Sequence, residues 1–405
     1  MRRSLFMLVV VLGLLIGFAP QPTAACGGLF CTNTPVDQAA EQIIFAADRT
    51  AGTITAYVQI NYTGSADAFS WVVPVPNNPE VGVAELASFT EMSQLTLPRL
   101  IFPPMPDCFA MPMMSASAGG ADGVNVLQEG SVGPYDFAVI EDKDPNALVS
   151  WLRENGYQIT PEMEPLVKVY TDESMVFLAM KLSGGKDVQD IQPVSMTYKA
   201  TEPMIPIRLT AVAANPNMGI LTWVFADQQA TPANMTRLLM RKNDLAMTDM
   251  FGNTNYNSLR SGVLDSVQGQ GFVIEYAQPT SALQSSDPLI SELIAKYGYV
   301  TRLYGEMSPN EMTLDPMFKF DGGLANVSNT IDMTDRNSPY DCEDNSFHTV
   351  RRQQIDAAKG NRSSPEDATE DLRRGPLQIV SLVVVGGILL LIVWLARKPR
   401  RSNNI

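Results

Sequence analysis

The chain has 405 residues, with 29 Lys and Arg against 43 Asp and Glu, so a formal net charge of −14 sits on a hydrophobic content of 45 %. That apolar fraction excludes a disordered or collagen-like chain. The acidic excess removes the basic face that phosphate neutralisation needs, so no nucleic acid is expected as a partner.

Arg2 and Arg3 precede an apolar run from Leu5 to Phe18, followed by Pro20, Pro22, Ala24 and Ala25, the layout of a secretory signal peptide over residues 1–25. Cleavage is expected just before Cys26. A retained membrane helix is the alternative, disfavoured by Gly13, Gly17, Pro20 and the small-residue cleavage site. The twin arginines also allow export of a folded chain, although the polar residue usual before such a pair is missing.

After cleavage all four cysteines, Cys26, Cys31, Cys108 and Cys342, lie outside the cytoplasm, where disulfides persist. Gly27-Gly28-Leu29-Phe30 lets Cys26 and Cys31 close a local loop, which leaves Cys108 with Cys342 as a long-range bridge. Cys26 as a lipidated N-terminus is the weaker reading, because Thr23 stands where a lipobox prefers Leu.

The domain starts as β: Ile43 to Ala47, Thr53 to Tyr62 with alternating faces, and Ala68 to Val75, separated by turns at Gly52 and Gly64. These three segments are expected to form an antiparallel meander. Trp71-Val-Val-Pro-Val-Pro76 reads as an edge strand stopped by prolines, in preference to a peptide-binding groove.

The densest methionine cluster follows. Met105, Cys108, Met111, Met113 and Met114 are soft ligands suited to Cu(I), whereas the competing reading has the methionines filling an irregular core and Cys108 oxidised. Met111 to Gly123 is small and Gly-rich, the composition of a mobile loop.

Further strands are expected at Phe137 to Ile140, Met175 to Leu182, Ile207 to Ala214 and Ile220 to Ala226. Two helices carry complete start and stop signals. Asp144-Pro145 opens the first, with Leu148, Trp151 and Leu152 on one face and Asn155-Gly156 closing it; Asp287-Pro288 opens the second, with Leu289, Ile290, Leu293, Ile294 and Tyr297 apolar and Gly298 in the left-handed stop position. Phe137–Glu141 and Phe272–Glu275 precede the two helices, and each helix ends in Gly-Tyr. The parallel reads either as a duplicated strand-helix-strand unit or as shared capping chemistry.

Catalytic motifs are scarce. His348 is the one histidine, so Ser/His and multi-His chemistries must use it or fail. Ser183-Gly-Gly-Lys186 matches S-x-x-K without its partner motifs and suits a turn better. Phosphate-loop, dinucleotide and C-x-x-C motifs are missing, and no cofactor is expected. Asp332, Asp335, Asp341, Glu343 and Asp344 lack EF-hand spacing and read as a solvated acidic loop rather than a Ca²⁺ site. Asn61, Asn234, Asn326 and Asn361 open N-x-S/T sequons, relevant only in a host that glycosylates.

Residues 351–376 are polar with nearly balanced charge, a flexible stalk. Leu377 to Leu395 is uncharged and apolar, long enough for a transmembrane helix, and Arg397, Lys398, Arg400 and Arg401 hold the tail, residues 396–405, in the cytoplasm. Gly386-Gly387 in the span carries no small-xxx-small pattern. Setting aside the cations of both ends leaves −20 on residues 26–376, a domain repelled by anionic lipid.

Several segments together resemble the bacterial domain-of-unknown-function 2330 family: Ala25-Cys-Gly-Gly-Leu-Phe-Cys31, Pro35–Glu41, Phe69–Pro76, Trp151–Tyr157, Tyr299–Tyr304 and Met312–Pro316, spread over residues 25 to 320. The resemblance implies a secreted or membrane-anchored protein and supplies no activity, ligand or catalytic residue.

The expected architecture is α+β: a β-rich extracytoplasmic domain over residues 26–350, one large or two packed subdomains with a few capped helices, then stalk, single span and tail. The expected role is binding or assembly with an envelope partner rather than catalysis. A copper or redox protein using the Met/Cys loop and a carboxylate-based hydrolase are the alternatives.

Overall fold

A computed structural model of the chain describes residues 37–63, 69–104, 132–142, 144–157, 159–212, 214–249, 253–335, 340–341 and 346–347. The chain divides into two units, Met1–Leu245 with Thr254–Ser338, and Ala246–Asn253 with Pro339–Ile405.

In the first unit, strands β1 (Asp37–Asp48), β2 (Thr53–Thr63), β3 (Ser70–Val75) and β4 (Glu80–Val83) precede helix α1 (Leu86–Thr96). Strands β5 (Arg99–Ile101) and β6 (Tyr135–Ile140), helices α2 (Pro145–Glu154) and α3 (Glu164–Asp172), and strands β7 (Val176–Leu182) and β8 (Val194–Lys199) follow. After them come β9 (Ala214–Ala226), β10 (Gln229–Pro232), β11 (Thr236–Leu238), α4 (Tyr256–Asp265), β12 (Gly271–Pro279), α5 (Pro288–Lys296), β13 (Tyr299–Met307), β14 (Phe318–Asp321) and β15 (Thr330–Asp332). In the second unit, β16 (Tyr340–Asp341) pairs antiparallel with β17 (Ser346–Phe347). The α+β expectation holds, with five α-helices among the described residues.

The first unit is built in four layers. Its centre is an eight-stranded mixed sheet of order β11-β12-β13-β9-β1-β2-β8-β4. One face packs on a three-stranded antiparallel sheet of order β3-β7-β6, where Trp71, Val73, Leu178 and Met180 meet Ile43, Phe45, Val224 and Ile274. The opposite face packs on α1 and α5 through Ile44, Trp223 and Phe225 against Phe89, Met92, Ile290 and Leu293. The small sheet's outer face carries α2 and α3, with Leu148, Leu152, Val167 and Tyr170 over Val72 and Phe177. A strand in the middle of such a stack is apolar on both faces, which is why Ile43 to Ala47 is a continuous buried run. Each large side chain so buried contributes ~1.5–3 kcal/mol.

The helix start signals are met in both helices, and the glycine stop in the first. Asp144 accepts from the Asn146 amide and Asp287 from the Ile290 amide, both at 2.9 Å, and Gly156 takes φ +77°. Asp287 also accepts from Ser88 Oγ of α1 at 2.9 Å, so one cap joins two helices. Trp151 is only half buried and stacks on Tyr157 at 6.3 Å. Gly298 does not take the left-handed stop. The chain leaves α5 through an extended Tyr297, φ −107° and ψ 142°, directly into β13, so no reversal is needed there.

Two strand expectations are corrected. The first three segments are no meander: β2 gives its free edge to β8, with Ile54 opposite Tyr198, and β3 is an edge strand of the other sheet, paired with β7. Ile207 to Ala214 is no strand, because Leu209–Val212 form a 3-10 turn and β9 starts only at Ala214. Ile207 packs between the sheets and Leu209 in the outer core with α2 and α3, so the run is apolar because it crosses between two cores. The two candidate repeats do share a plan: β6 and β7, like β12 and β13, are antiparallel neighbours joined through helices.

Among the described residues no helix is long and apolar enough to cross a membrane; the expected span Leu377–Leu395, the signal segment and the stalk lie outside them.

Candidate ligand-binding site

Period two along β1 aims Glu41 the same way as Ile43 and Phe45, toward the small sheet. Its neighbours in register are Ile60 on β2 and Ile220 on β9, so the carboxyl sits in a central strand and is only 7 % exposed. Among the described residues no donor or cation reaches it, and burial alone pushes its pKa up to about 7 from the ordinary 4.5.

The carboxyl lines a cavity between the two sheets. The floor is Phe45, Ala56 and Val58 with Met196 and Tyr198 of β8; the roof is Trp71 and Val73 to Pro76, and Met204 to Pro206 close one end. The cavity measures about 40 Å³, against ~10–15 Å³ for one water, which is room for a few waters or one small head group. Tyr198 is 6 % exposed, burial raises its phenol well above the usual range, and among the described residues its hydroxyl has no hydrogen-bond partner. An apolar cavity with a small number of uncommitted polar groups is the general form of a small-molecule site.

A larger open cleft of about 440 Å³ lies on the other face of the same strands, between Gln42 and Gln59 and the Phe89, Ser93 and Gln94 side of α1. Among the described residues no ionisable side chain lines it, so those walls offer only neutral hydrogen bonds. The Glu41 cavity is smaller but supplies a charge, and it is the better candidate.

In two other buried charge clusters the carboxylate is already committed, although Arg260 Nε has no hydrogen-bond partner among the described residues. Glu275 accepts from Tyr256 at 2.9 Å, Arg260 at 2.8 Å and Arg302 at 2.7 Å; Arg302 also donates to Thr96 Oγ1, which receives Trp223 Nε1 at 2.8 Å. Arg260 lies 3.4 Å over the Tyr304 ring, whose hydroxyl donates to Glu306. The group fastens α4 and α1 to β9, β12 and β13. Asp315 accepts from Tyr170 of α3 and from Arg208, which also holds Glu173. Both are structural ties with the carboxylate already saturated.

The expected ligand residues lie elsewhere. Cys26, Cys31, Cys108 and Cys342, the soft-metal set Met105, Cys108, Met111, Met113 and Met114, and His348 are all outside the described residues. Among the described residues no group of three His, Cys, Asp or Glu could hold a metal ion. Asp332 accepts from Thr334 and Asp335 pairs with Lys242, so two of the expected acidic-loop residues are spent on local bonds. Ser183 caps a turn, with the Lys186 amide on its carbonyl and Gly185 at φ +85°. Asn234 is held at both ends, donating to the Asp315 carbonyl and accepting from the Met317 amide.

Sequence reasoning missed Glu41 because the first strand was started at Ile43. The signal was there: Glu41, Ile43, Phe45 and Ala47 alternate in one register, and extending the period two residues back puts a carboxyl on the buried face. Neither the curated proteins nor the solved structures contain a match to this chain. A family model described as an uncharacterized protein conserved in bacteria (DUF2330) matches residues 20–319, which take in Glu41 and every wall of its cavity, and the chain belongs to that family.

Proposed function

We propose that the chain is a membrane-anchored envelope protein whose outer domain binds a small ligand in the cavity at Glu41, without catalysing a reaction on it. The observation that carries this reading is a buried carboxyl with no partner among the described residues, facing an apolar space. A carboxylate left so costs free energy unless something else supplies the donor or the counter-charge. Paired-carboxylate hydrolysis needs a second acidic group across the substrate, and among the described residues Glu41 is the one acid that lines this cavity. Export by residues 1–25, anchoring by Leu377–Leu395 and disulfides Cys26–Cys31 and Cys108–Cys342 complete the reading.

The test is saturation-transfer NMR on the full chain in detergent, with a mixture of small neutral and cationic fragments. Ala56→Leu, which fills the cavity with extra methyl groups, should abolish the signal of the fragments that bind. Fragments that bind both proteins equally would show that the site is elsewhere.

A further inference from the structure

We propose that the head group this cavity takes is a methylated ammonium, a cation that carries methyl groups in place of N–H bonds. The inference rests on the reading of the cavity as a ligand site. It starts from the charge balance: Glu41 brings a negative charge, and among the described residues no Lys, Arg or His lines the space to answer it. A positive charge that favours the ionised form has to come from the ligand.

The walls then choose between kinds of cation. Phe45, Trp71 and Tyr198 contribute three aromatic rings to one small cavity, and the faces of such rings attract a cation that has shed its water. A primary ammonium carries three N–H donors, each of which needs an acceptor once buried. The acceptors that side chains supply here are the two Glu41 oxygens and the Tyr198 hydroxyl, all of which would have to converge on one nitrogen. A quaternary ammonium has no donor to satisfy, and its methyl groups pack on Val73 and Met196 as readily as on the rings. A cavity of about 40 Å³ suits a single compact head group and excludes an extended ligand.

The test titrates the full chain in a non-ionic detergent with tetramethylammonium, methylammonium and tert-butanol at pH 8 and constant ionic strength, read by calorimetry. Tetramethylammonium should bind at least tenfold more tightly than methylammonium and lose at least tenfold in Glu41→Gln and in Trp71→Leu. Wild type alone gives a second readout. Tetramethylammonium affinity should rise about tenfold from pH 6 to pH 8 as Glu41 ionises through about 7. The other titratable side chain lining the cavity among the described residues is Tyr198 on β8; β1, β2, β3 and the Met204–Pro206 segment add none. Methylammonium binding as tightly as tetramethylammonium would overturn the proposal. Tert-butanol binding equally well, with Glu41→Gln indifferent, would also overturn it yet leave an apolar ligand cavity standing. Failure of all three probes would overturn the head-group proposal, and the site reading falls only if the fragment test with Ala56→Leu fails too.

Discussion

Glu41 is a single side chain whose ionisation sets a pH dependence for the whole fold. In the unfolded chain it titrates near the ordinary 4.5, and in the folded chain near 7. Below the lower value both states hold the proton and nothing is lost. Between the two values the unfolded chain releases it while the folded chain keeps it, so stability falls as pH rises and levels off above about 7. The fall should approach about 3 kcal/mol. Glu41→Gln should therefore stabilise the protein at pH 8 by up to that ~3 kcal/mol and leave it unchanged at pH 4. Urea denaturation of both proteins across this range checks it, and equal midpoint shifts at both ends would mean that the carboxyl is not buried. At this scale the sequence was legible where chemistry is local: Asp144 and Asp287 announce their caps through the Pro that follows. It was illegible at Glu41, whose meaning depends on which strands close over it.

Between elements, the ties are made by charges that arrive from distant parts of the chain. Glu275 stands on β12, but its three donors come from α4 and β13, and Thr96 at the end of α1 joins through Arg302. Removing the carboxylate leaves two guanidinium groups sealed in with no counter-charge. Glu275→Ala should cost about 3–5 kcal/mol, and replacing Arg260 and Arg302 by Met in the same chain should restore much of it. Chemical denaturation followed by circular dichroism measures both, and a loss under ~1 kcal/mol would mean that water reaches the arginines. β4, β5, β8 and most strands after β9 were not read from the sequence, whereas β1, β2, β3, β6, β7 and β9 were legible in outline because alternation and apolar runs mark them. Their partners were not, since pairing of Ile43 with Thr222 on β9, or of Ile54 with Tyr198 on β8, leaves no trace in local period. The apolar segment around Ile207 misled for a related reason: burial and strand pairing are different requirements, and a crossing between cores meets only the first.

For the molecule as a whole, the proposal is a strongly acidic domain held away from a membrane by one span. Full-length protein should stay in the membrane pellet through alkaline carbonate, and a chain ending before Leu377 should be released. Release of the full-length chain by carbonate would remove the anchor from the proposal. The position of β1 has a consequence for how such a chain is made. This strand, central and apolar on both faces, leaves the ribosome long before β9, the parallel neighbour it needs. Until residues beyond Gly219 have emerged, the Ile43–Ala47 segment is half of a sheet with one sticky edge open, competing for any other strand in reach. Long-range parallel pairing closes slowly. Synthesis order therefore makes the earliest part of the core the last to be sealed, and a chaperone that shields β1 during that wait should raise the yield of folded protein more than one acting on the later strands.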